Sequence, residues 1–428
     1  MQIGIKADQQ KIPDWWAIPV SAHLRKRRAK EKMTIFAGQT AVCFSVSMLA
    51  ILISVLIFTG SSAFFKTHVI VEVSIPQNFA LIDPYEANYR SVVFEGLYRL
   101  FPNVTSRRGK RGLQKILSQN SPYLLRNYVQ RNNDLIGKTF VFDVPMSDRY
   151  SQMYKSLRKG GDVIGKKGES IQIKRLLTLR GMEVITRKFN TGLFKNADSR
   201  LPETAGLLGA IKGSFMTLLV CFSFSFPVGI GAGIFLQEML RKGPIANFIE
   251  INSNNLAAVP SVVFGLLSLS ILLNTFGLPR SSALVGGITL AIMTLPVIII
   301  ATRNGLQSVP LSVREAALSL GASRQQLIFH HLLPASMPNI LTGTIIGMAQ
   351  ALGETAPLLL IGMNAFLTKV PEGILSPSAT LPTQIYIWAD SPERGFMALT
   401  SAAILVLLLF LIGMNAVAVY LRYRYEEK

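Results

Sequence analysis

The sequence predicts an all-α polytopic membrane protein of six transmembrane helices, with an α+β domain inserted between the first and the second. Three observations predict it. Half of the 428 residues are hydrophobic and only 16% are charged, with a mean hydropathy of +0.37, values that do not suit a soluble globular domain. Several apolar runs exceed the roughly 18 residues needed to cross a hydrocarbon core. Between the first two runs lie about 140 hydrophilic residues, enough for a separate domain.

The net charge of +20, from 44 Lys and Arg against 24 Asp and Glu, reads as membrane orientation. Nucleic-acid binding has no aromatic-basic motif in its favour. Cys43 and Cys221 both fall within predicted spans, so neither a disulfide framework nor a metal site is expected. His330 and His331 are adjacent, and neighbours on a helix point about 100° apart, so the pair makes a poor chelate.

In chain order, residues 1–32 are a basic cytoplasmic N-terminus, with Arg25, Lys26, Arg27, Arg28, Lys30 and Lys32 abutting the first transmembrane segment at 33–65. Its apolar run, about 34–58, is long for a cleaved signal and fits a retained anchor. The insert at 66–205 then falls on the periplasmic side. Within it Val69, Val71, Val73 and Ile75 alternate as in a strand partly buried on both faces. Residues 85–101, 112–129 and 148–157 read as helices, and 137–143 as a second strand. The insert is strongly basic, but long loops cross largely regardless of charge. Such a surface attracts anions or an acidic partner, or is simply a solvated face. The stretch GGDVIGK at 160–166 matches G-x-x-x-x-G-K, yet Lys167 stands where a Mg²⁺-binding hydroxyl is needed, so it is rejected as a nucleotide site.

From 206 to 421 the apolar runs return, with spans at about 208–236, 257–276, 283–302, 338–361 and 397–421 and a tail at 422–428. Alternation from an inner N-terminus puts the clusters at 237–242, Arg303 and 422–424 all inside. Pro227, Gly229, Gly233, Pro260, Gly265 and Pro296 suit close interhelical packing but decide nothing alone.

The loop at 303–335 is helical in composition. REAALSLGASRQQLIFHHLLP at 314–334 places Glu315, Ala316 and Ala317 ahead of Gly321, a natural break between two short helices. Small side chains there admit a close partner. Leu333 precedes Pro334, which predicts that the second helix ends there. In the span at 338–361, Glu354 is followed by Thr355 and Pro357. An ionisable group at that depth faces the bundle interior and is a candidate functional residue, or else a structural Glu paired at a subunit interface. A carboxylate repels an anion unless it is protonated or paired, so an arginine is expected nearby.

The loop resembles the EAA loop of bacterial ABC importer permeases, with His331 where an aliphatic residue is usual. Together with NNLAAVPSVVFGL at 254–266, LPRSSALVGGITLAIMTLPVIIIAT at 278–302 and TGTIIGMAQALGETAPLLLIGM at 342–363, it makes residues 205–421 similar to the permease subunits of phosphate-specific ABC importers, the PstA family. The first 200 residues resemble the extended N-terminal region of some proteobacterial members. The resemblance implies a type I ABC importer permease fold in the bacterial inner membrane. It implies a sister permease (PstC-like), a dimer of ATPase subunits (PstB-like) and a periplasmic phosphate-binding protein (PstS-like). ATP and Mg²⁺ would sit on the ATPase, with no cofactor on this chain and no enzyme activity of its own. Glu315, Ala316, Ala317, Gly321, Leu333 and Pro334 would couple to the ATPase. Glu354, Thr355, Gln350 and Arg303 would be candidates for the translocation path. Gln350 departs from the family, which has arginine four residues before the glutamate; the sister subunit or Arg303 would then supply the charge. A permease for sulfate, molybdate or phosphonate, and a membrane sensor using the 66–205 domain, are the competing readings.

Overall fold

The computed structural model describes residues 22–80, 83, 87–158, 170–240 and 243–426, so the stretch at 160–166 lies outside it. The chain divides into two units, residues 1–55 and 56–428. The first consists of most of helix α1 (Ala22–Gly60), whose apolar residues from Met33 to Leu52 are exposed, as lipid contact requires.

The insert is built on a three-stranded antiparallel sheet. β1 (Phe65–Ser74) lies centrally between β2 (Thr139–Pro145) and β3 (Ile185–Phe189). Val69, Val71, Val73 and Ile75 are at most 1% exposed, and Val69 and Val71 stand opposite Val144 and Phe142. Burying four such side chains is worth about 1.5–3 kcal/mol each. They pack under α2 (Tyr89–Arg99), α3 (Arg107–Gln114), α4 (Ser121–Arg131), α5 (Asp148–Arg158) and α6 (Ser170–Gly181). On α2, Gly96 lies so close to β1 that a Cβ would overlap the Glu72 carbonyl and come within 2.5 Å of Val71 Cγ1. The helix expected at 112–129 is two helices, because Pro122 takes the first turn of a new one and cannot continue an old one. α2 begins at its Asn88 cap, whose side chain accepts from Ser91 N. Strand β3 and helix α6 were not expected: β3 is a short edge strand of mostly polar, exposed residues.

After the one-turn α7 (Gly192–Lys195) comes a helical bundle. α8 (Leu208–Ile234) continues through a π-helical turn at Phe235–Met239. α9 (Pro244–Ala257) meets α10 (Ser261–Ser268) at a 98° bend, so the expected span at 257–276 is the second limb of a broken helix that runs on to Thr275. Pro260 sits at the bend, where it cannot donate to a preceding turn. α11 (Ala283–Gln307) runs parallel to α8: Gly287 rests on Val220, Gly229 on Ile298 and Gly233 on Thr302. α14 (Leu333–Gly353) is antiparallel to α11, with Gly343 against Ala301 and Gly347 against Val297. α15 (Ala356–Leu360), α16 (Leu381–Ala389) and α17 (Gly395–Glu426) complete the set.

The insert is bonded to the bundle. Asp148 Oδ2 accepts from the Gly395 amide at 3.0 Å at the start of α17, and a Cβ on Gly395 would overlap that carboxylate. Trp388 Nε1 donates to Asp198 Oδ1 at 2.9 Å.

Candidate functional site

Between α11 and α14 the chain forms α12 (Leu311–Ser319) and α13 (Arg324–Gln326), separated by Gly321. Gly321 has φ +83°, a left-handed conformation that favours glycine, and the two-helix break is as expected. Ser323 opens α13 with a reciprocal capping box to Gln326.

The expected stop at Pro334 is absent. Residues Leu327–Leu332 form a π-helical turn that feeds directly into α14, and Arg324–Gly353 is one helix of 30 residues. Inside a continuous helix a proline removes one bond and its ring presses on the carbonyl four residues back; here the wider π-helical turn at Leu327–Leu332 immediately precedes Leu333 and Pro334.

Ala317 is buried, packed with Ile234, Leu306, Val309, Leu327 and Leu332. Glu315, Ala316, Gly321 and Pro334 are exposed and Leu333 is half-buried. Leu311, Leu318 and Leu320 also face outward, Leu320 at 90% exposure. The segment thus presents an apolar surface while being pinned from behind.

The pin is an ion pair that the sequence reading missed. Arg314 Nη1 donates to Glu238 Oε2 at 2.7 Å, with side chains 20% and 10% exposed. Arg314 Nη2 also donates to the Leu306 carbonyl at 2.8 Å. Beside it Gln307 Nε2 donates to Gln237 Oε1 at 2.9 Å. The end of α8 is thereby held to the junction of α11 and α12, with Glu238 and Arg314 76 residues apart in sequence.

Glu354 does not lie within a helix. α14 ends at Gly353, Glu354 is extended (φ −76°, ψ 115°), and α15 restarts with Pro357 in its first turn. Pro357 has no amide to donate, so a continuous helix would be interrupted here in any case. Glu354 and Thr355 are half-buried; Gln350 is exposed. Gly265 of α10 packs on this break, a Cβ there lying 2.7 Å from Pro357 Cα. Arg303 is half-buried near the opposite end of the paired helices: Ala301 faces Gly343, eleven residues before Glu354. At 1.5 Å rise per residue the separation along the axis is about 17–20 Å. The structure therefore does not bring Arg303 to Glu354. Among the described residues no cluster of His, Cys, Asp and Glu suits a metal ion.

A second group of titratable residues lies where the insert meets the bundle. Burial lowers Lys66 to about 8, opposed by the charge of Glu203. Burial raises the Glu203 carboxyl above its usual range, and likewise Asp198 despite the bonds it accepts from Trp388 Nε1 and Ser199 N.

Residues 227–426 match the family described as the binding-protein-dependent transport system inner membrane component, and residues 21–160 match a domain of unknown function, DUF3333. The phosphate transport system permease protein PstA of Yersinia pestis is 36% identical over 220 residues, covering 51% of this chain and 73% of that protein. PstA of Haemophilus influenzae is 33% identical over 224 residues, covering 52% and 78%. Among solved structures, an inward-facing form of the MetNI methionine ABC transporter aligns at 17% identity over 51% of this chain and 97% of that one, with a TM-score of 0.39.

Proposed function

The chain belongs to the PstA family of phosphate transport permeases, and from that premise we propose that it forms, with a sister permease, the translocation path of an ATP-driven importer of inorganic phosphate. It is a transport subunit of the inner membrane, not an enzyme. ATP and Mg²⁺ belong to a separate ATPase dimer, and a periplasmic binding protein delivers the phosphate.

In this reading the chain crosses the membrane six times with both termini in the cytoplasm, and the insert is periplasmic. The parallel packing of α8 and α11 supports it. Two consecutive parallel helices require the segment between them to return across the same depth, and the bent pair α9–α10 is that return.

The observation that carries the proposal is the coupling segment: an exposed face around Glu315, Ala316 and Leu320, fixed from behind by Ala317 and the Arg314–Glu238 pair. Such a face suits a groove on the ATPase. ATP-driven closure of the ATPase dimer pulls on α12, the displacement passes into α14, and the break at Glu354 changes its exposure to the path. Thr355 and Gln350 lie within one turn of that break. A cation for phosphate comes from the sister subunit, since Arg303 is at the other end.

The test is uptake of labelled phosphate at low external concentration by cells with and without the chain, with sulfate and molybdate as competitors. Loss on deletion, insensitive to the competitors, is expected. Gly321→Leu should abolish uptake while leaving the protein in the membrane, because a branched side chain is strained at φ +83°. Unchanged uptake on deletion in a strain lacking other phosphate importers would refute the proposal.

A further inference from the structure

Where α1 gives way to the insert there is a cavity of about 410 Å³. Its floor is Ser61 and Ser62, in the 3₁₀ turn that follows α1. One wall is α5, with Tyr154, Lys155 and Arg158, and another is β3, with Arg187. No Asp or Glu is among the described residues that line it. The lining is therefore cationic and hydroxylic, the chemistry of an anion site rather than of a metal or an apolar ligand.

The cations are held in place. Lys155 Nζ donates to the Ser62 carbonyl at 2.9 Å, which ties the α5 wall to the floor. The Arg187 guanidinium lies 4.0 Å over the ring of Phe65. Stacking occupies the face of a guanidinium and leaves its in-plane N–H groups for bidentate contact. The guanidinium groups of Arg158 and Arg187 have no hydrogen-bond acceptor among the described residues.

The depth of the cavity follows from its neighbours. Gly60, the last residue of α1, packs against the amide of Ala402 and against Leu405, early in the apolar run of α17. Phe64 stacks on Phe189 at 6.5 Å and on Phe194 at 6.3 Å, and Phe65 meets Phe189 edge to face at 6.0 Å. Phe65, Phe189 and Phe194 are exposed. The end of the apolar run of α1 at Gly60, level with the start of the apolar run of α17, sets the boundary between hydrocarbon and water, and the cavity opens just beyond it, the level at which lipid phosphates lie.

We propose that this cavity binds a phosphoryl oxyanion between Arg158, Arg187 and Lys155, supplied by the headgroup of an anionic phospholipid or by free phosphate. A phosphate group displaces roughly three waters' worth of liquid volume, so it fits with room for hydration. The inference rests on α1 being a membrane span and not on the transport proposal. It gives the basic insert a defined anion site and anchors it to the membrane surface.

The test uses the full chain purified in detergent, with short-chain phosphatidylglycerol, phosphatidylcholine and inorganic phosphate as separate probes. Native mass spectrometry reads the lipids and isothermal titration reads phosphate. The variants are Arg158→Glu with Arg187→Glu, and Arg158→Lys with Arg187→Lys. Both arginines are exposed, and circular dichroism checks that the variants fold; should the Glu pair not, Arg158→Gln with Arg187→Gln replaces it. Phosphatidylglycerol binding weakened about tenfold by charge removal, and largely kept by the Lys pair, with phosphatidylcholine unaffected, establishes the lipid source. The same pattern for inorganic phosphate alone establishes the free anion. Unchanged binding of both in the charge-removed variants overturns the proposal.

Discussion

Arg314→Ala should destabilise this chain far more than an exposed ion pair would allow. The substitution leaves Glu238, 10% exposed, without the guanidinium 2.7 Å away. Its other oxygen, Oε1, has no hydrogen-bond partner among the described residues, so nothing else compensates the charge. Stranding one partner of a buried pair costs about 3–5 kcal/mol. Replacing both by apolar groups of similar volume, as in Arg314→Met with Glu238→Leu, is commonly neutral or stabilising. A double-mutant cycle on thermal unfolding of the chain in nanodiscs should therefore give a coupling energy of at least about 3 kcal/mol. Uptake should behave differently. The double variant regains stability yet still lacks the bond from Arg314 to the Leu306 carbonyl, so α12 is no longer held to α11 and transport stays below wild type. An Arg314→Ala cost under about 1 kcal/mol, or simple additivity in the cycle, would refute the reasoning.

Two further outcomes are expected. Gly265→Val should overpack the contact with Pro357 at a cost of about 1–3 kcal/mol and impair uptake by displacing α15 beside Glu354; Gly231→Ala, with open space around it, should leave uptake unchanged. Stability should also pass through a minimum with pH. The raised carboxyls of Asp198 and Glu203 contribute fully below their unfolded values of 3.8 and 4.5, and that contribution is lost as pH rises through their folded values. Lys66 acts in the opposite sense: its burial cost is complete below about 8 and is relieved between 8 and 10.5. Unfolding temperatures should accordingly fall from acid toward neutral pH and recover above 8, with Lys66→Met flattening the alkaline limb; a profile unaffected by that variant would disprove it.

Much of this was legible in the sequence. The alternation at Val69, Val71 and Val73 located the central strand, and Gly321 located the break between α12 and α13, because each signal is local and has one physical cause. The misplaced features have competing causes. Leu333–Pro334 reads as a helix end, but the turn before it is π-helical and the helix continues through the proline. Hydropathy reads 338–361 as one unbroken span, whereas the helix is interrupted at Glu354, where Gly353 before it and Pro357 after it mark a break. The Arg314–Glu238 pair and the Asp148–Gly395 bond join residues 76 and 247 apart, and no local pattern announces either.

The continuity of Arg324–Gly353 has a geometric consequence. Thirty residues in one helix make a rod about 45 Å long. A tilt of roughly 10° about its Arg324 end carries the far end sideways by about 8 Å. The π-helical turn at Leu327–Leu332 and the prolines Pro334 and Pro338, where helices bend, all lie in the first half of the rod. The proline-free run beyond Pro338 then carries the remaining angular motion to Glu354, where the rod stops and the backbone turns.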